Sequence, residues 1–274
     1  MGKFDGILIC TDLDGTLYKN DKTVSRENRE AIEYFKSEGG YFTFITGRLP
    51  YYSVDAYRTA SPNVPYGCVN GGGVYDGETN RYIWTRELDR LAFELVKCID
   101  EKFSDVGIQV CSFDNTYFSK ENARMKSFRG ETGLPNLVRH YLDVDEPIGK
   151  IIFGSDCEDE LLMVERTLRE HTLAPKFDFI RSERTLFEIL PKGTHKGVAL
   201  DKLIEYLCVE REKTVAIGDY NNDVGMLRAA GCGIAVANAS AEAIAAADIV
   251  TVSNEQSAVA RVIYDLEEGK ILNI

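Results

Sequence analysis

The chain predicts an α/β fold: a Rossmann-like open parallel sheet core interrupted by an inserted α+β domain. Three observations carry this. Five short apolar runs, at residues 6–11, 41–46, 214–218, 233–237 and 248–252, are unbroken rather than alternating, as strands buried on both faces are. Helical stretches and short loops separate most of them, which is how an open α/β sheet is wound. Between 85 and 189 the pattern changes to paired strands and longer helices, so the core is expected at 1–84 and 190–274 with 85–189 as the insertion.

Each element follows from local chemistry. Ser25 can cap a helix running to Ser37, with Ala31, Ile32 and Phe35 on one face, and Gly39-Gly40 stops it before the second strand. The insertion opens with an amphipathic helix at 88–103, followed by an antiparallel pair at 107–113 and 116–119. A loop-rich stretch is expected around Gly130, Gly133 and Pro135, then a strand at 150–154, a helix at 158–170 and strands at 176–180 and 185–190. The chain re-enters the core near Pro191-Lys192-Gly193. Residues 196–207 place Val198, Leu200, Leu203, Ile204 and Leu207 at helical spacing, and shorter helices are read at 222–230 and 241–247.

Composition narrows the function. With 32 Lys+Arg against 44 Asp+Glu, the formal net charge is −12, which disfavours nucleic acid and anionic membrane surfaces as partners. Seven cysteines, none at CxxC spacing and several inside apolar runs, read as small buried thiols rather than a zinc site or disulfide framework. The opening MGKFDGILIC is interrupted by Asp5 and does not read as a signal peptide, so a reducing cytoplasmic compartment is expected. An acidic protein can still bind phosphate locally, through a cation or aimed backbone N–H groups.

Four sites at strand ends or helix starts carry chemistry. The first strand ends Asp12-Leu13-Asp14-Gly15-Thr16-Leu17. Two carboxylates at the lip of a buried strand repel and lose hydration, and so call for a cation or a proton; a plain Asp-Gly turn is the alternative. The second strand ends Ile45-Thr46-Gly47-Arg48, where a hydroxyl followed by glycine lets donors approach a phosphate, although the same tripeptide serves as a simple strand-to-helix turn. Lys196 opens a helix after Lys192-Gly193-Thr194-His195, and its ammonium can meet an anion or solvent; the Walker A spacing is absent. The strand at 214–218 leads into Asp219-Tyr220-Asn221-Asn222-Asp223, whose oxygens are of the hard type Mg²⁺ prefers, or form an ordinary helix N-cap cluster.

Taken in this order, these residues resemble the four motifs of the haloacid dehalogenase-like (HAD) phosphatase superfamily, matched by Asp12/Asp14, Thr46, Lys196 and Asp219/Asp223. An insertion between the second and third motifs resembles a C2-type cap, and Asn70-Gly71-Gly72-Gly73 is similar to the Asn-Gly-Gly turn of the Cof-type subfamily. Ala237-Asn238-Ala239 departs from that family's Gly-Asn-Ala. The resemblance implies a phosphatase for small-molecule phosphate monoesters, with Asp12 as nucleophile and Asp14 as general acid and base. It further implies Mg²⁺ held by Asp12, the Asp14 carbonyl and Asp219, with Asp223 orienting the metal shell. Thr46, Gly47 and Lys196 would hold the phosphoryl group, Asn222 would contact that group or the metal shell, and the cap would choose the substrate. A phosphomutase on the same core is the alternative enzyme reading. A non-catalytic phospho-ligand sensor is a third, disfavoured because both Asp12 and Asp14 are kept.

Overall fold

The computed structural model describes residues 2–272. The chain begins with β1 (Leu8–Thr11), α1 (Arg26–Ser37), β2 (Tyr41–Phe44), α2 (Val54–Ala60) and three short strands, β3 (Tyr66–Cys68), β4 (Gly73–Asp76) and β5 (Arg81–Thr85). Next come α3 (Ala92–Lys102), β6 (Gly107–Ser112), β7 (Thr116–Lys120), α4 (Ala123–Thr132), β8 (Ile148–Gly154), α5 (Glu158–Arg169), β9 (Phe177–Glu183) and β10 (Leu186–Pro191). The last stretch holds α6 (Lys196–Leu207), β11 (Thr214–Gly218), α7 (Val224–Ala229), β12 (Cys232–Ala235), α8 (Ala241–Ala246), β13 (Ile249–Val250) and α9 (Ala258–Glu267).

The five apolar runs form one all-parallel sheet in the order β13-β12-β11-β1-β2. Strands β1, β11 and β12 are buried throughout, which is why their sequences do not alternate; the edge strand β13 is not, with Ile249 half-buried and Val250 exposed. The register places Thr11 opposite both Ile217 and Phe44, so β1, β2 and β11 end at one level. Ligands of such sheets bind beyond this carboxyl edge. Ser25 caps α1 by accepting from Asn28 N–H at 3.1 Å, and the buried face is Asn28, Ala31, Ile32 and Phe35.

Two compact units make up the chain: residues 1–84 with 195–274, and residues 85–194. The second unit is built on a five-stranded antiparallel sheet, order β7-β6-β8-β10-β9. Leu95, Val96 and Ile99 of α3 and Leu161, Val164 and Leu168 of α5 share one apolar core with Val110, Ile151, Phe153, Phe187 and Ile189 of this sheet.

Several elements depart from the sequence reading. The stretch expected to be loop-rich holds α4: Asn122 caps its start by accepting from Met125 N–H at 2.9 Å, and Gly133 ends it at φ +66°. The helix predicted from 88 begins at Ala92: Leu88 N–H donates to Ile148 O at 2.7 Å, and a turn closed by Ala92 N–H to Asp89 O at 2.9 Å precedes the helix. In α6 the buried residues are Lys196, Gly197, Ala199, Leu200 and Leu203, and Val198 is only half-buried. The three-stranded β3-β4-β5 sheet, antiparallel between β3 and β4, and α9, which packs on α1, lie outside the predicted elements. All seven cysteines are free; Cys10, Cys68, Cys111 and Cys232 are buried, Cys98 is half-buried, and Cys157 and Cys208 are exposed. Among the described residues no helix is long and apolar enough to cross a membrane.

Candidate active site

Asp12 directly follows β1, and its N–H donates to Ile217 O at 2.8 Å, extending the ladder one residue past the strand. That bond fixes where the buried Asp12 side chain leaves the sheet. The chain must then turn close to the neighbouring strand end. Gly15 makes this possible: its φ is +83°, and a Cβ there would lie 2.5 Å from Asp219 Oδ2. Thr16 completes the junction by donating from Oγ1 to Asp219 Oδ1 at 2.8 Å.

Lys196, the first residue of α6, is 1% exposed and lies between two carboxylates. Its Nζ donates to Asp12 Oδ1 and to Asp223 Oδ1, each at 2.5 Å. The other oxygen of Asp223 accepts from the N–H groups of Asp219 and Tyr220, both at 2.9 Å. Asp12, Asp219 and Asp223 each offer an oxygen within 4.8 Å of the others, a group able to hold a metal ion. Three buried or half-buried carboxylates thus gather around one lysine, which contacts two of them, and negative charge is in excess.

The electrostatics follow from that imbalance. Burial pushes the Asp12 carboxyl up, opposed by Lys196 and reinforced by the Asp223 and Asp219 charges. Asp219 is pushed up to about 6 by burial and by Asp223, with the Thr16 hydroxyl pulling the other way. Burial works against the Lys196 ammonium, but Asp12 and Asp223 outweigh it and hold its pKa above the ordinary value. Asp14 is different. Its two oxygens accept from Lys22 Nζ at 2.8 Å and Arg48 Nη2 at 2.7 Å. Burial raises its pKa, but these two cations outweigh that and hold it below the usual carboxylate value.

Thr46 follows β2 and is buried; its N–H donates to Gly67 O at 3.0 Å and its Oγ1 accepts from Arg48 N–H at 3.3 Å. Gly47 packs so closely on Asn70 that a Cβ there would lie 2.7 Å from Asn70 Oδ1. Asn222 lies in the 3₁₀ turn Asn221–Asp223, and its Nδ2 reaches the same Asn70 Oδ1 at 3.5 Å. The structure therefore brings Asp12, Lys196, Asp219 and Asp223 into one cluster. It gives Asp14 separate cationic partners and links Gly47 to Asn222 through Asn70. Thr16, Lys22, Arg48 and Asn70 are not among the residues the sequence predicted for the site. Thr16, Arg48 and Asn70 sit inside stretches quoted above, but nothing local says which way they face.

A parallel sheet with acidic groups gathered beyond its strand ends is an arrangement suited to phosphoryl transfer. Comparison with known proteins agrees. Residues 9–263 match the haloacid dehalogenase-like hydrolase family. The chain is 30% identical over 261 residues to the 5-amino-6-(5-phospho-D-ribitylamino)uracil phosphatase YitU of Bacillus subtilis, covering 93% of this chain and 95% of that one. It is 27% identical over 284 residues to the phosphatase YwpJ of the same organism, covering 94% and 99%. Among solved structures, a haloacid dehalogenase-like hydrolase from Bacteroides thetaiotaomicron superposes with TM-score 0.82 at 26% identity, covering 96% of this chain and 100% of that one. A sugar phosphatase of HAD subclass IIB shares the fold with TM-score 0.82 at 20% identity, covering 95% and 99%. The chain belongs to the haloacid dehalogenase-like hydrolase family, in its Cof-type branch, and is a phosphatase acting on small phosphate substrates.

Proposed function

We propose that the protein hydrolyses phosphate monoesters through a covalent phosphate on Asp12, in a Mg²⁺-dependent reaction. The observation that carries this is the buried cluster in which Lys196 contacts Asp12 and Asp223 while Asp219 adds uncompensated charge. The residues fit the ion: hard carboxylate oxygens, close together and short of positive charge. Asp12, Asp219 and the Asp14 carbonyl would hold it and Asp223 would orient its shell; when bound it neutralises phosphoryl charge.

Asp12 attacks phosphorus, the bond from phosphorus to the ester oxygen breaks, and Asp14 gives that oxygen its proton. Asp14, now a carboxylate, takes a proton from water as the water attacks the same phosphorus. The bond to Asp12 breaks, and inorganic phosphate leaves. Lys196, Thr46, the Gly47 backbone and Asn222 hold phosphoryl oxygens, a division suited to a reaction governed by positioning and charge. Because Arg48 and Lys22 keep Asp14 ionised at rest, an incoming phosphate that draws either cation away frees the carboxyl to take up its proton.

Release of phosphate from an aryl phosphate, measured with EDTA and after Mg²⁺ is restored, tests the reaction. Activity that survives EDTA unchanged would refute the metal dependence. We further propose that unit 85–194 selects the ester. The YitU relative makes 5-amino-6-(5-phospho-D-ribitylamino)uracil the first compound to include in a panel of sugar phosphates, nucleotides and phosphorylated cofactors. Exchanging 85–194 for the corresponding unit of another family member should change the panel ranking and leave Mg²⁺ dependence intact. A folded chimera with the original ranking would sink this division of labour.

A further inference from the structure

Asn70 lies outside the four strand-end motifs, in the turn between β3 and β4. Val69, Asn70 and Gly71 there have φ of +55°, +53° and +96°. Left-handed backbone is costly for a β-branched residue such as Val69, and strained backbone persists where its surroundings over-determine it, often at functional sites. The surroundings here are the site itself. Val69 N–H donates to Arg48 O at 3.0 Å and Asn70 N–H to Thr46 O at 3.1 Å. On the other side Gly71 is pressed against the start of α6: a Cβ on it would lie 2.0 Å from His195 O and 2.9 Å from Lys196 N. The turn is wedged between the loop of Thr46 and Gly47 and the helix start that carries Lys196.

The side chain of Asn70 is equally enclosed. The residue is 1% exposed, Gly47 packs directly on its amide, and its Oδ1 lies 3.5 Å from Asn222 Nδ2. One amide thus touches two of the groups assigned to the phosphoryl oxygens, on different strand ends, while its backbone ties down the carbonyl of a third, Thr46. We infer that Asn70 is a positioning residue: it sets the spacing of Gly47 and Asn222 for a phosphate group, acting through them rather than on the reacting atoms. The inference rests on the phosphatase reading above. The competing explanation is that asparagine stands here only because it tolerates left-handed backbone better than most residues.

Asn70→Gly separates the two, because glycine adopts the same backbone without strain and removes only the amide. Inorganic phosphate is the probe, as a competitive inhibitor of aryl phosphate hydrolysis. The expected result is a folded variant with a lowered Tm, an inhibition constant and KM each raised about tenfold, the scale of one hydrogen bond, and a smaller change in kcat. Asn70→Asp, which keeps the shape but sets a charge beside the phosphoryl groups, should weaken phosphate binding at least as much. Val69→Gly, which relieves strain and keeps the amide, should leave phosphate binding unaltered. An active Asn70→Gly with wild-type KM and inhibition constant overturns the inference. Should that variant fail to fold, a native Asn70→Asp with unchanged phosphate inhibition overturns it instead. Absence of phosphate release by the wild-type protein would strike the phosphatase reading, a separate result.

Discussion

Both units bury a lysine against carboxylate, with different charge balance. In the unit built on the parallel sheet, Lys196 is held between Asp12 and Asp223, and Asp219 adds a further carboxylate. In the inserted unit, Lys150 of β8 donates to both oxygens of Glu188 on β10, at 3.0 and 2.9 Å. Both residues of that pair are 3% exposed at the side chain, and their charges cancel. A balanced buried pair restores, through attraction and hydrogen bonds, much of what desolvation costs. An unbalanced one does not, and persists only where something else supplies the missing charge. The imbalance, rather than burial of charge, is what singles out the carboxyl edge of the parallel sheet as the candidate site.

The largest effect that would test this contrast is on activity. Asp12→Asn should cut phosphate release by at least about a thousandfold, as loss of a nucleophile does, while the fold survives because a buried charge is removed from an over-acidic cluster. Steady-state rates and circular dichroism check it; residual activity within tenfold of wild type would remove Asp12 from its role.

Breaking the pairs comes next. Lys196→Met leaves Asp12 and Asp223 buried without their cation and should cost about 3–5 kcal/mol in denaturant unfolding of the metal-free protein. The double change Lys150→Met with Glu188→Leu removes both charges at once and should shift stability by less than about 2 kcal/mol, with EDTA-sensitive hydrolysis of an aryl phosphate retained. Equal losses from the two experiments would show that charge balance does not distinguish the clusters.

A metal effect of about 2–3 kcal/mol is expected when Mg²⁺ is present at a hundred times its dissociation constant. Its pH dependence follows from Asp219, which burial and Asp223 push up to about 6. Between the ordinary aspartate value and about 6 the folded, metal-free protein holds a proton that the unfolded chain has lost, so stability falls as pH rises through that window and levels off above it. Mg²⁺ should therefore raise Tm more at pH 7.5 than at pH 5. A shift of equal size at both, in thermal melts with and without the ion, would contradict the assignment.

The smallest effect belongs to the inserted unit. Asn122→Ala removes the cap of α4, together with its Nδ2 bonds to Asp105 O and Gly154 O at 2.8 Å, and should lower stability by about 1–2 kcal/mol without altering Mg²⁺ dependence. An unchanged unfolding midpoint would show that the cap is not what fixes that helix.

The sequence by itself determined the parallel sheet, because strands buried on both faces write their burial into unbroken apolar runs. It also determined where chemistry could sit, because Asp12, Asp14, Thr46, Lys196, Asp219 and Asp223 fall at strand ends or helix starts. Ser25 and Gly39 likewise advertise the limits of α1 through local hydrogen bonding and local backbone freedom. What only the tertiary structure decided depends on residues far apart in the chain. The helix α9 is fixed by packing on α1, with Ala260 N–H donating to Asn28 Oδ1 at 2.9 Å across 232 positions. Arg48 and Lys22 face Asp14 only because the turns after β1 and β2 bring them there, and Asn70 reaches Gly47 and Asn222 only because the 69–71 turn is locked between two other loops. A periodic pattern records which face of an element is buried. It does not record which other element lies against that face, so partners across the site become visible only when the chain is folded.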